Sequence, residues 1–248
     1  MAETAVYLGQ QLSINTTFIQ DIPWQERAEL LDQGKIDAAW LCGLYYVRQV
    51  VQPDCPYELL AAPVMADERY GDRPIYFSDV IVRRDSPYRT FADLQGCRWA
   101  YNEPNSHSGY TITCYYLATL HAPQPYFGRA VEAGSHQRAM QLVRNGEADA
   151  AAIDSTVLAI EREQDERITA ELQVIASTPP SPIPPLVISK SVPASLREEI
   201  KQMLAHMHRE ENGCALLQKT NLKRWAIVSD SDYDPIREMA TIGARITL

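Results

Sequence analysis

Ser106, His107 and Ser108 sit in the stretch Pro104-Asn105-Ser106-His107-Ser108-Gly109-Tyr110, between an apolar run at 97–102 that predicts a strand and one at 110–120 that predicts a helix. Small hydroxylated residues and a glycine at a strand-to-helix turn leave backbone N–H groups unpaired, and the helix dipole puts partial positive charge at the same place. Two serine hydroxyls and an imidazole add side-chain donors. The chemistry this pattern predicts is the cradling of an anion by neutral donors, because no Lys or Arg occurs between 104 and 110. The plainer reading is that Ser106 or Ser108 only caps the helix. No nucleophile elbow, metal-ligand spacing or nucleotide loop accompanies the stretch, so a binding protein is expected, with no cofactor or metal and no enzymatic turnover.

The elements that would position this turn recur. Gly34-Lys-Ile-Asp-Ala-Ala-Trp-Leu41 and Gly146-Glu-Ala-Asp-Ala-Ala-Ala-Ile153 share the pattern G-x-x-D-A-A-x-[LI], and each follows an amphipathic helix containing Arg27-Ala28 or Arg138-Ala139. Each copy has a β-rich stretch before that helix (13–20 and 126–133) and a new helix after the strand (from 44 and from 155). One strand-helix-strand-helix unit used twice predicts two similar α/β lobes; the alternative is a coincidence between two alanine-rich buried strands. In the second copy, the helix at 110–120 is preceded by the strand at 97–102 and the serine-rich turn. In the first copy nothing precedes the helix at 1–11, so the first strand of lobe one is expected to be missing. The β-rich run 74–82 leads into the second lobe, and the proline-rich run 178–185 reads as the return crossover. Helices at 194–210, 212–217 and 232–242 are expected to pack on the first lobe. The expected division is lobe one at 1–77 and 184–248, and lobe two at 78–183, with two crossings and a cleft.

A length of 248 residues with 46% hydrophobic content supports a sizeable core. A net charge of -9 without any basic run argues against a nucleic-acid partner. The five cysteines show no metal spacing. Cys42 with Cys55 is the nearest pair for a bridge, and buried free thiols are the default. No apolar run is long enough to span a bilayer, and the first thirty residues show no export signal.

Taken together, Gly34-Lys-Ile-Asp-Ala-Ala-Trp40, Tyr76-Phe-Ser-Asp-Val-Ile-Val-Arg-Arg-Asp-Ser-Pro87, Asp93-Leu-Gln-Gly96, Pro104 to Tyr110, Ser135-His136, Gly146-Glu-Ala-Asp149 and Tyr233-Asp-Pro-Ile-Arg237 resemble the phosphate/phosphonate-type substrate-binding proteins of ABC importers. The resemblance covers nearly the whole chain. It implies a type II periplasmic binding-protein fold, in which Rossmann-like lobes joined by two crossovers close by hinge motion. It also implies a periplasmic or extracellular location, membrane contact only through a permease or a lost N-terminal anchor, and delivery of a small oxyanion to an importer permease. Carried over residue by residue, it assigns the oxyanion to Ser106, His107 and Ser108, with Tyr76 before the first crossover and His136 beside them.

The internal repeat adds the strand ends at Cys42-Gly43-Leu44 and Asp154-Ser155-Thr156, because ligands of open α/β sheets sit outside such carboxyl ends. Tyr45, Asp154 and Ser155 therefore join the candidates. Asp154 also reads as a helix cap, His136 as a first-turn residue after a Ser135 cap, and Tyr45 or Tyr46 as core. Family members that bind aminoalkylphosphonates have a hydroxyl residue where His107 stands and acidic residues where Thr156 and Pro184-Pro185 stand. These departures favour phosphate, phosphite or a simple phosphonate. Two other functions remain open from the residues: a sensory module of the same fold, and an enzyme using the two site histidines for acid–base work.

Overall fold

The structure, a computed structural model, describes residues 2–20 and 22–248. Met1, the expected start of the first helix, lies outside these residues. The chain runs α1 (Ala2–Leu12), α2 (Trp24–Asp32), β1 (Ala38–Trp40), α3 (Gly43–Gln49) and β2 (Tyr57–Met65). It continues through β3 (Ile75–Tyr76), β4 (Ser78–Arg83), β5 (Arg98–Tyr101), α4 (Ile112–Thr119), β6 (Arg129–Glu132), α5 (His136–Arg144), β7 (Ala150–Asp154), α6 (Ser155–Gln164), α7 (Glu166–Glu171), β8 (Leu172–Ser177) and β9 (Ser181–Pro182). The remainder is β10 (Leu186–Ser189), α8 (Ala194–His206), α9 (Glu211–Lys219), β11 (Leu222–Ala226) and α10 (Asp234–Gly243). Contacts divide it into unit 1, residues 1–75 and 182–233, and unit 2, residues 76–181 and 234–248.

The two copies of the repeated motif fold alike. After α2, Gly34 at φ 65° donates to Leu31 O and Lys35 N donates to Leu30 O. After α5, Gly146 at φ 71° donates to Val143 O and Glu147 N donates to Leu142 O. Both helices thus stop on the same glycine-dependent cap, which turns the chain into β1 or β7. In unit 1 the sheet order is β1-β10-β2-β11, and in unit 2 it is β6-β5-β7-β4-β8. The triplets β1-β10-β2 and β7-β4-β8 correspond. In each, the central strand runs antiparallel to both neighbours and is the one entered straight after a crossing, β10 or β4.

The sheet of unit 2 is buried on both faces. Val80, Val82, Trp99, Ala150 and Ala152 point to one side with Phe91, Leu117 and Phe127, while Ile81, Ala100, Ala151 and Ile153 point to the other with Met140, Val143 and Leu158. This period of two inside a continuous apolar run is what a strand covered on both faces requires. Trp99 is fully enclosed and stacks on Phe127 with centroids 4.4 Å apart. Truncating it to Ala would cost about 3 to 5 kcal/mol.

The structure corrects several expectations. Residues 13–20 form no strand; they are exposed, Ile14, Phe18 and Ile19 among them. β-branched residues favour a strand only where a neighbour pairs with them. The equivalent β6 pairs with β5 alone, and among the described residues unit 1 holds no strand in the place of β5 beside β1. Three strands went unforeseen: β2 in unit 1, apolar from Leu59 to Met65; β9, two residues inside the proline-rich crossover; and β11, which follows a helix end without a Gly stop.

None of the five cysteines forms a disulfide, so Cys42 and Cys55 do not make the bridge suggested by their proximity in sequence. The third correction concerns the C-terminus, because α10 packs on α4 within unit 2 instead of on the first lobe. Gly243 permits that approach: a Cβ there would lie 3.0 Å from Tyr115 N and 3.1 Å from Thr111 O. The chain therefore passes between the units three times, at 75/76, 181/182 and 233/234, rather than twice.

Candidate functional site

Ser106 is the N-cap of the helical run that leads into α4, and its Oγ accepts from Gly109 N at 3.2 Å. The helix starts at His107, three residues earlier than the apolar pattern indicates, and its first turn is wide. Thr111 N donates to Ser106 O and Ile112 N to His107 O, both five residues back. Such π-type turns are rare and concentrate at functional sites. The wide turn brings Ser106, His107, Ser108 and Gly109 into the buried end of the sheet. Gly109 suits this place as glycine, because a Cβ would collide with Asn102 Oδ1 and come within 3.3 Å of Asn102 N.

Seven of the eight predicted residues lie in unit 2: Tyr76, Ser106, His107, Ser108, His136, Asp154 and Ser155. Ser108 Oγ is 2.8 Å from His136 Nε2 and 3.5 Å from Ser106 Oγ, so these three form one hydrogen-bonded group. His136 begins α5 after the Ser135 cap, whose Oγ accepts from Arg138 N. His136 Nδ1 is enclosed although the residue as a whole is partly exposed, and it has no partner among the described residues. Burial pushes the imidazole down to about 4, so it is neutral near pH 7.

His107 is 1% exposed, and its ring turns towards the segments by which the chain enters and leaves unit 2. Its Nε2 lies 2.8 Å from Ser181 Oγ, and its ring meets the Tyr76 ring edge-on at 6.5 Å. Asp154 caps α6, with Oδ1 accepting from Thr156 N at 2.8 Å and Thr156 Oγ1 at 2.7 Å. Burial nevertheless raises its carboxyl to about 6, the Thr156 bonds opposing. Ser155 and Phe77 exchange two bonds, Ser155 N to Phe77 O at 2.9 Å and Phe77 N to Ser155 Oγ at 3.1 Å.

Tyr45, the eighth candidate, belongs to unit 1. Its hydroxyl donates to Asp32 Oδ2 at 2.7 Å, and its ring packs edge-on against Trp24 at 5.7 Å. Tyr46 is buried, donating to Asp230 Oδ1 at 2.9 Å and packing on Tyr233.

Two buried serines that the sequence did not single out complete the arrangement in unit 2. Ser78 opposes Asp154 in the β4–β7 register, and its Oγ donates to Ser108 O. It thereby joins the Asp154 end of β7 to the serine turn. Ser181 holds His107. A serine at the start of a strand and one inside Ser181-Pro-Ile-Pro-Pro185 carry no distinguishing signal in sequence. Among the described residues no group of three or more His, Cys, Asp or Glu is placed to hold a metal ion, and no helix is long and apolar enough to cross a membrane.

Two α/β units threaded by one chain, each built from the same repeated motif, have the type II periplasmic binding-protein fold. The chain belongs to the family described as the periplasmic substrate-binding protein of phosphonate ABC transporters, which it matches over residues 1–233. It is 28% identical over 212 residues to the phosphonates-binding periplasmic protein of Escherichia coli K12, covering 84% of this chain and 61% of that relative's length.

In fold it is similar to the binding-protein component of a phosphonate ABC transporter from Pseudomonas aeruginosa, with TM-score 0.83, 20% identity, 98% of this chain and 80% of that one covered. It is also similar to PhnD1 of Prochlorococcus marinus in complex with methylphosphonate, with TM-score 0.81, 20% identity, and 98% and 91% covered.

Proposed function

We propose that this chain is an extracytoplasmic receptor that binds a phosphorus oxyanion (phosphonate, phosphite or phosphate) reversibly and hands it to the permease of an ABC importer. The observation that supports this most is the group made by Ser106 and Ser108 at the first turn of the helix leading into α4 and His136 at the start of α5. It offers hydroxyl, imidazole and backbone donors under a helix dipole, and His136 is held neutral. Tyr76 meets the His107 ring, Asp154 stands opposite Ser78 in the β4–β7 register, Ser155 bonds Phe77, and the His107 ring turns to Ser181. The chemistry is recognition without bond making.

Calorimetric titration with phosphate, phosphite, methylphosphonate and ethylphosphonate tests the reading. At least one should bind, and at a hundred times its dissociation constant it should stabilise the chain by about 2.7 kcal/mol. Silence from all four, with the melting temperature unmoved, would overturn it. So would consumption of a bound ligand, detected as product.

A further inference from the structure

We propose that Ser78 and Ser181 are positioning residues of the oxyanion site, pinning two consecutive residues of its turn to the segments by which the chain enters and leaves unit 2. The inference rests on the oxyanion reading for its ligand and on the hydrogen bonds alone for its geometry. Ser78 opens β4, two residues after the chain enters the unit, and Ser181 is the last residue before the chain leaves. Both are fully buried.

Ser78 Oγ donates to the Ser108 carbonyl, and Ser181 Oγ sits 2.8 Å from His107 Nε2. Each serine is fixed in turn. Ser78 N donates to Thr178 Oγ1 at 3.2 Å, and Thr178 N donates to Ser78 O at 3.0 Å. β9, which carries Ser181, pairs with β3, which carries Tyr76, the residue whose ring meets His107.

Two physical consequences follow. The first bonds of the wide turn run five residues back, and Ser78 adds to them a bond to the Ser108 carbonyl that ties the turn to β4. Ser78 donates from the interior, where a lost hydrogen bond is not replaced by water. Ser181 fixes the direction of the His107 ring, and with it the peptide plane that presents the neighbouring N–H groups. The two serines thus set the aim of the donors without touching the anion.

The test compares Ser78→Ala, Ser181→Ala and the double variant with Ser86→Ala in the full chain. Ser86 is a buried serine of the same unit whose Oγ donates to Arg83 O, away from the turn. Amide hydrogen exchange of residues 107–112 without ligand, methylphosphonate titration and melting temperature are recorded for each. We expect Ser78→Ala and Ser181→Ala each to speed exchange in the turn and weaken methylphosphonate by about three- to tenfold, and Ser86→Ala to lower only the melting temperature. Wild-type exchange and affinity in both Ala variants would overturn the proposal, even with a lowered melting temperature. If the unaltered chain binds no oxyanion while exchange in the turn still rises in both variants, the oxyanion reading falls and the pinning stands.

Discussion

Ser108 Oγ and His136 Nε2 meet at 2.8 Å, joining the wide first turn of one helix to the first residue of another. Because burial holds His136 at about 4, this contact is between neutral groups through the whole physiological range. A phosphonate monoester keeps one negative charge over the same range. In Asp154→Asn, which removes the carboxyl that titrates near 6, its affinity should therefore stay within about twofold from about pH 5.5 to 8, measured by calorimetry at constant ionic strength. A rise of tenfold as the pH falls towards 6 would show that a charged imidazole takes part.

Stability should respond to pH from both sides. His136 has a folded value of about 4 against 6.5 for the free group, so its contribution is complete above about pH 6.5 and is lost as the pH falls through 4. Asp154 has a folded value of about 6 against 3.8, so its contribution is complete below about pH 3.8 and is lost as the pH rises through 6. Each arm is worth at most about 3 kcal/mol. Asp154→Asn keeps an oxygen for Thr156 N and should raise stability near pH 8 by about 1 to 2 kcal/mol, while His136→Gln should flatten the acid side. Melting temperature against pH for the three proteins separates the arms, and an unchanged alkaline limb in Asp154→Asn would refute the assignment.

Ser106 and Ser108 should differ on substitution. Ser106 caps the helix through Gly109 N, so Ser106→Ala should cost about 1 kcal/mol of stability as well as affinity. Ser108 makes no such cap. Ser108→Ala should reduce oxyanion binding by about 0.5 to 3 kcal/mol, the upper end applying to a fully charged ligand oxygen. Equal thermal losses in the two variants, with no loss of binding in either, would leave the stretch as a helix cap.

Gly109→Ala tests the fit between the turn and β5. The added Cβ would collide with Asn102 Oδ1, and Asn102 N at 3.3 Å limits retreat. A loss of about 1 to 3 kcal/mol is expected from forcing a methyl into a packed site. Asn102→Ala should recover part of it in the double variant. Full additivity in chemical denaturation would show that the two residues do not meet.

How much of this was legible in the sequence depended on how local each signal is. The Gly34 and Gly146 caps, the alanine strands after them and the Ser106 cap are set by neighbouring residues, and all could be read directly. Residues 13–20 could not, because β propensity does not reveal whether a partner strand is there to pair with. β2 was missed because a strand buried along most of its length lacks alternation, and β11 because Asn221, at φ 55° just before it, marks a helix end less plainly than glycine does. Within the candidate group, Ser106 and Ser108 were singled out by residue type and position and His136 by the family resemblance; the structure brings the three together. Ser78 and Ser181 were not, because a buried serine differs from any other serine only by what long-range folding sets beside it. The direction of the His107 ring depends on Ser181, 74 positions away, and was hidden for the same reason.

The seating of α10 on α4 bears on the order of synthesis. Residues 76–181 supply the sheet and most helices of unit 2, yet the helix that covers α4 leaves the ribosome only after all of 182–233 has been made. Unit 2 must wait, with one face of α4 bare, until the later residues of unit 1 have emerged. A nascent chain paused anywhere in that interval would present this bare face to whatever chaperone or export factor accompanies it.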